Sequence, residues 1–219
     1  MTASRARVGW ILRTLRGRYP LTMLGGWKEN GVGPFRHLVG TILSARSRDE
    51  TTDRVTDALF RRYPTPAALA RARTSALERL LRPIGFYRTK ARYVRAAARH
   101  VLRRGGVPDT LEGLLEIPGV GRKVANCVLV YAFGREAIPV DTHVHRIANR
   151  LGWVRTRAPE QTERALAALV PRTLWPILNE VLVAHGKAVC RPVVPRCGRC
   201  PVRRACATGR VLTVAPEDA

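Results

Sequence analysis

Residues 111–150, LEGLLEIPGVGRKVANCVLVYAFGREAIPVDTHVHRIANR, decide how the rest of the chain is read. The stretch predicts a short helix, a tight hairpin at Ile117-Pro118-Gly119-Val120-Gly121, a second helix, and an apolar turn into a third helix that opens at Asp141. Gly119 and Gly121 let backbone come close to a partner and reach φ values closed to other residues. Successive backbone N–H groups around Val120, followed at once by a helix N-terminus, make a seat for one phosphate. Arg122 and Lys123 occupy the first turn of the second helix. A primary amine is thereby held beside whatever phosphate the hairpin grips.

The charge of the chain points the same way. With 39 basic against 16 acidic residues among 219, and a net charge of +23, the protein favours polyanions, nucleic acid foremost. No apolar run approaches the roughly 20 residues that a membrane span needs, and no basic-then-apolar signal segment opens the sequence. A soluble, cytoplasmic, nucleoid-associated protein without a membrane partner is the expectation. Thirty-five of the basic residues are Arg and only four are Lys, at positions 28, 90, 123 and 187. A coding sequence rich in G and C gives that bias unaided, so a position that needs only charge would ordinarily hold Arg. A guanidinium stays protonated and is no nucleophile, whereas a desolvated ammonium gives up its proton and becomes one. Lys123 is therefore a candidate nucleophile, with a plain phosphate contact as the simpler role.

Outward from the central stretch, helical periodicity recurs. Val8, Ile11, Leu12 and Leu15 form one stripe of an amphipathic helix over 5–18. The glycine-rich TMLGGWKENGVGP that follows reads as a linker. Helices resume from Phe35 to about Ser44, then through Val55 and Leu59 to Tyr63-Pro64, with Asp49 as a candidate cap between them. Short turns are expected at 65–71 and 74–81, and a longer helix from Phe86-Tyr87 to Gly105-Gly106. Helices at 160–169 and 174–185 lead to the cysteines. No period-2 segment is sustained, so the class is all-α.

Four of the five cysteines share one window, Cys190, Cys197, Cys200 and Cys206, shaped by Pro192, Pro195 and Gly198. In an intracellular chain, clustering of this kind points to metal thiolates before disulfides. A four-thiolate iron–sulfur cluster accommodates the long outer loops. Zinc, which commonly uses two close pairs, and unliganded thiols are the competing readings. Cys127, set mid-helix among apolar neighbours, is a packed residue.

The Leu-x-Ile-Pro-Gly-Val-Gly-Arg-Lys hairpin, the Val140-Asp141-Thr142-His143 segment eighteen residues after the lysine and the spaced cysteines together resemble the endonuclease III family of base-excision DNA glycosylases. The likeness extends upstream to Leu43-Ser44-Ala45 and to Ile84-Gly85-Phe86-Tyr87-x-x-Lys90-Ala91. It implies a two-domain helix-hairpin-helix glycosylase fold, with a six-helix barrel over about 31–135. The second domain would combine residues 1–30 with 136–219 and carry a [4Fe-4S] cluster, with a cleft between the two.

The same resemblance makes Lys123 the nucleophile on the sugar C1′ of a damaged nucleotide. Asp141 assists proton transfer and stabilises charge on the sugar. Taken alone, Asp141 reads equally well as a helix N-cap. Arg122 and the helix N-terminus both disfavour an ammonium at Lys123. Arg46 and Phe86 fall where the family fills the gap left by an extruded base and wedges the duplex, in place of the commoner glutamine and leucine. A solvated arginine is the alternative for Arg46. His143 and His145 point in different directions on a helix and receive no catalytic role.

The expected activity is a bifunctional glycosylase and AP lyase on oxidised pyrimidines. Its partner would be duplex DNA with damaged bases or abasic sites, and the protein a monomer. The alternative is a DNA-binding paralogue of little turnover that senses lesions or redox state. Arg191, Arg196, Arg199, Arg203 and Arg204 are expected to face phosphates.

Overall fold

Helix α1, Arg5–Leu15, opens on Ser4, whose hydroxyl accepts from the Arg7 amide at 3.3 Å. It is the first of the helices in a computed structural model that describes residues 4–211 and contains no strand among them. Two compact units result, one of residues 23–135 and one that joins 1–22 to 136–219.

The continuous unit runs through α2 (Met23–Glu29), α3 (Pro34–Ser44), α4 (Asp49–Arg62), α5 (Pro66–Arg71), α6 (Thr74–Leu81), α7 (Tyr87–Arg104), α8 (Leu111–Leu115) and α9 (Arg122–Phe133). Proline at the first position starts α3 and α5, where its missing N–H has no intrahelical partner to lose. Thr65 and Thr110 cap α5 and α8, accepting from Ala68 and Gly113. Helix α7 ends on Gly105, whose φ of 74° suits the left-handed stop. The stripe Ala91, Val94, Ala98 and Val101 on α7 is buried, and α7 packs against α3, α5 and α6. Leu38, Val39, Ile42 and Leu43 on α3 are likewise buried, with α4 and α9 packed on that helix.

The glycine-rich segment read as a linker is instead helix α2. Leu24 and Trp27 are buried, and the Trp27 indole donates to Asp53 at 2.9 Å. Room for the indole comes from Gly40 of α3, where a Cβ would stand 2.3 Å from the ring. Tertiary packing outweighs the low helix propensity of Gly25-Gly26. The boundary between units falls accordingly after Thr22, and 23–30 belong to the continuous unit. Asp49 is not a cap: Arg48 holds that position, and Asp49 and Glu50 place negative charge in the first turn of α4.

The discontinuous unit adds α10 (Thr142–Leu151), α11 (Pro159–Leu169), α12 (Trp175–Ala188) and α13 (Ala207–Val211) to α1. Val8, Ile11, Leu12 and Leu15 share a core with Val144, Ile147, Leu166, Leu178 and Leu182. The segment after α1 is tied to α12 twice: the Tyr19 hydroxyl lies 3.2 Å from His185 Nδ1, and the amide and hydroxyl of Thr22 donate to Glu180 at 2.6 Å each.

Candidate active site

The hairpin between α8 and α9 closes through the Val120 amide, which donates to Ile117 O at 3.0 Å. Gly119 has a φ of 85°, and a Cβ there would lie 2.4 Å from the Tyr93 ring. Both backbone conformation and close packing therefore demand glycine. Gly121 differs from the sequence expectation: its φ of −93° is open to any residue, and nothing lies within 4 Å of a Cβ built there. Its value is open space at the start of α9, whose N-terminus receives no side-chain cap. The Val120 side chain is buried, so only its backbone is available to a ligand, while Arg122 is exposed and Lys123 half-buried.

In the other unit Asp141 is the N-cap of α10, its Oδ1 accepting from the Val144 amide at 2.8 Å. Oδ2 takes no hydrogen bond from the described residues. Capping thus engages one oxygen of the carboxylate. His145 Nδ1 stands 2.7 Å from Thr162 Oγ1, and His143 Nδ1 stands 3.2 Å from Arg146, so both rings have packing partners.

Arg46 and Phe86 come together at one place on the continuous unit. Both are exposed, and both hold left-handed backbone, with φ of 54° and 57°. The Arg46 guanidinium lies over the Phe86 ring, 5.4 Å from its centroid. Beneath them sits Lys90, only 4% exposed, whose Nζ donates to Leu43 O at 2.8 Å, Ala45 O at 2.6 Å and Ser47 Oγ at 2.9 Å. Burial pushes this amine down to about 8. The three oxygens act in the opposite sense by bonding the charged form. Sequence reasoning left Lys90 without a role; the signal available was lysine in a chain that otherwise uses arginine.

Cys190, Cys197, Cys200 and Cys206 line one pocket floored by Ile147 and Leu151, and all are free thiols. Among the described residues no three His, Cys, Asp or Glu side chains are grouped to hold a single metal ion. Burial pushes the Cys200 thiol up to about 11, and neighbouring Cys206, Cys190 and Cys197 add to the rise. The Gly209 amide donates to Cys206 Sγ at 3.3 Å, and Arg150 reaches Cys190 Sγ at 3.6 Å and the carbonyls of Arg191 and Pro192. Arg191, Arg196, Arg199 and Arg204 are exposed. Arg203 is half-buried and its Nε donates to Gly209 O at 3.2 Å, which braces the loop. Cys127 is buried in α9.

Two helices joined by a glycine hairpin in an otherwise helical chain define the helix-hairpin-helix class. A family profile described as HhH-GPD superfamily base excision DNA repair protein matches residues 39–172. The chain is 47% identical over 175 residues to endonuclease III of Thermotoga maritima, covering 79% of this chain and 82% of that protein. It is 42% identical over 209 residues to endonuclease III of a Synechocystis species, covering 94% of each. A solved structure of a trapped endonuclease III–DNA covalent intermediate matches with a TM-score of 0.82 at 30% identity, covering 95% of this chain and 98% of that one. The chain belongs to the endonuclease III family. Members of that family generally contain iron–sulfur clusters. No described helix here is long and apolar enough to cross a membrane.

Proposed function

We propose that this chain, a bifunctional DNA glycosylase and AP lyase of base excision repair, removes oxidised pyrimidines from duplex DNA with Lys123 as nucleophile and Asp141 as its acid–base partner. The Lys123 amine attacks the sugar C1′; the glycosidic C–N bond breaks and the base leaves with its electron pair, taking up a proton. Asp141 accepts a proton from the amine and offsets positive charge on the sugar through Oδ2. As the C1′–O4′ bond opens, the second amine proton passes to O4′ and an imine is left, and proton loss from C2′ then expels the 3′ phosphate. The strand is cut 3′ to the lesion, and water releases the lysine.

The observation that carries this reading is a lysine in the first turn of α9, directly behind a hairpin whose backbone is open at Gly121. Gly119, Val120, Gly121 and Arg122 would grip the backbone phosphate beside the lesion. Arg46 and Phe86 would fill and wedge the gap left when the nucleotide is extruded, a step that chemistry on a stacked base requires. Cys190, Cys197, Cys200 and Cys206 would hold a [4Fe-4S] cluster. Four free thiols lining one pocket supply the all-sulfur donor set that such a cluster takes. When bound, the cluster supplies cross-links to a loop with little core of its own. The protein would act as a monomer on DNA.

Borohydride reduction in the presence of DNA carrying thymine glycol or an abasic site tests the proposal. Wild-type protein is expected to become covalently trapped, and Lys123→Gln to lose trapping while still binding the duplex. Undiminished trapping by Lys123→Gln would place the nucleophile elsewhere.

A further inference from the structure

Lys90 is a charge of the continuous unit that is 4% exposed and holds three acceptors, and the catalytic reading gives it no task. Its three acceptors are not scattered. Leu43 O belongs to the last turn of α3, Ala45 O is the C-cap of that helix, and Ser47 Oγ lies two residues further on. Ala45 and Ser47 are the two neighbours of Arg46 in the chain. One ammonium therefore grips the backbone on one side of Arg46 and the side chain on the other. The same residue donates its own amide to Phe86 O at 3.0 Å. Gly85 completes the join: a Cβ there would lie 3.5 Å from Arg46 O, so the two loops run in van der Waals contact.

Charge is needed for this arrangement. Three bonds to three oxygens use every N–H of an ammonium, and a helix C-terminus favours a cation. A neutral side chain of the same length would take the donor from three oxygens, of which Leu43 O is buried and the other two part-buried. Arg46 and Phe86 each hold left-handed backbone that non-glycine residues adopt only when their surroundings impose it. The Lys90 ammonium meets the Arg46 loop, and it is carried there by the first turn of α7, whose N-cap is Phe86.

We propose that Lys90 is a positioning residue that holds Arg46 and Phe86 as one preformed, stacked wedge, so that the protein enters the duplex with its gap-filling pair already in place. This rests on the reading of Arg46 and Phe86 as the residues that occupy the space of the extruded nucleotide. Lys90 acts through them and touches no DNA, being buried beneath the pair.

The test uses full-length protein and a duplex carrying a tetrahydrofuran abasic analogue opposite 2-aminopurine, which reports unstacking of the orphaned base without any cleavage. Wild type and Lys123→Gln at saturation are expected to raise the fluorescence equally. Arg46→Ala and Phe86→Ala are expected to lower the rise. Lys90→Met is expected to bind the duplex yet give a rise about twofold smaller, because the wedge is present but loosely held. Ser47→Ala, which removes one acceptor and keeps the lysine, is expected to fall between the two with an unchanged melting temperature, and it decides the matter if Lys90→Met fails to fold. A full rise from Lys90→Met, or from Ser47→Ala where the former is unfolded, overturns the inference while Arg46→Ala and Phe86→Ala remain impaired. A full rise from all four variants removes the wedge reading itself and this inference with it. Neither result depends on whether Lys123 is the nucleophile, which borohydride trapping settles separately.

Discussion

Arg46 and Phe86, forty residues apart in sequence, are the two non-glycine residues with positive φ among those described, and the guanidinium of one lies over the ring of the other. Left-handed backbone costs about 1–3 kcal/mol at such residues, and Phe86 does not recover that by burial, since its side chain is 60% exposed. Glycine adopts the same φ without a Cβ penalty. Phe86→Gly is therefore expected to hold or raise stability, by up to about 1 kcal/mol in urea unfolding, while excision from duplex DNA falls roughly tenfold or more. Loss of both stability and activity together would mean that the ring serves the fold.

Asp141 can be separated into its two jobs by chemistry. Asparagine caps a helix about as well as aspartate but carries no charge and accepts no proton. Asp141→Asn is expected to melt within about 0.5 kcal/mol of wild type while base excision falls about 10²–10⁴-fold. Asp141→Ala should lose the same activity and about 1 kcal/mol of stability besides, as the Val144 amide loses its acceptor. Thermal melts and single-turnover excision on one lesion duplex check both.

The difference between what could and could not be read from the sequence follows from range. Stripes such as Val8, Ile11, Leu12, Leu15 and the Asp141 cap of α10 are local patterns, and the helices formed where those patterns lie. Helix α2 was illegible because Trp27 finds its place through Gly40 and Asp53, both outside its own segment. The hairpin was legible as a motif, yet the distinct tasks of its glycines were not, since only the position of Tyr93 shows why Gly119 cannot change. Lys90 is the furthest case: its acceptors are two carbonyls and a hydroxyl 43 to 47 residues away, and carbonyls leave no trace in a residue pattern.

His37 predicts a pH dependence. It is fully buried against Trp27, its Nε2 has no hydrogen-bond partner among the described residues, and its pKa is lowered from 6.5, chiefly by burial. A histidine with a lowered folded pKa stays neutral in the fold while the unfolded chain takes up a proton near pH 6.5. Stability contributed by the neutral ring is therefore full above that pH and is lost as pH falls toward the folded pKa. His100 is lowered in the same direction. The free energy of unfolding is expected to drop between about pH 7 and pH 5, by no more than about 1.4 kcal/mol per pH unit for each such histidine. Urea unfolding of His37→Leu across that range should give a shallower slope; an unchanged slope would show that His37 does not titrate there.

Gly119 and Gly121 are expected to fail in different ways when changed to alanine. At Gly119 the new methyl would face both a φ of 85° and the Tyr93 ring at 2.4 Å, so the hairpin must shift. A loss of about 1–3 kcal/mol in stability is expected, with weaker duplex binding as its consequence. At Gly121 the backbone already suits alanine and the space beside it is open, so stability should change by less than about 1 kcal/mol. If that space receives a backbone phosphate, Gly121→Ala will weaken duplex binding all the same and reduce the steepness of its salt dependence by about one phosphate's worth. Affinity measured over a series of salt concentrations, beside a melting curve for each variant, separates a hairpin that is damaged from a hairpin that is merely blocked.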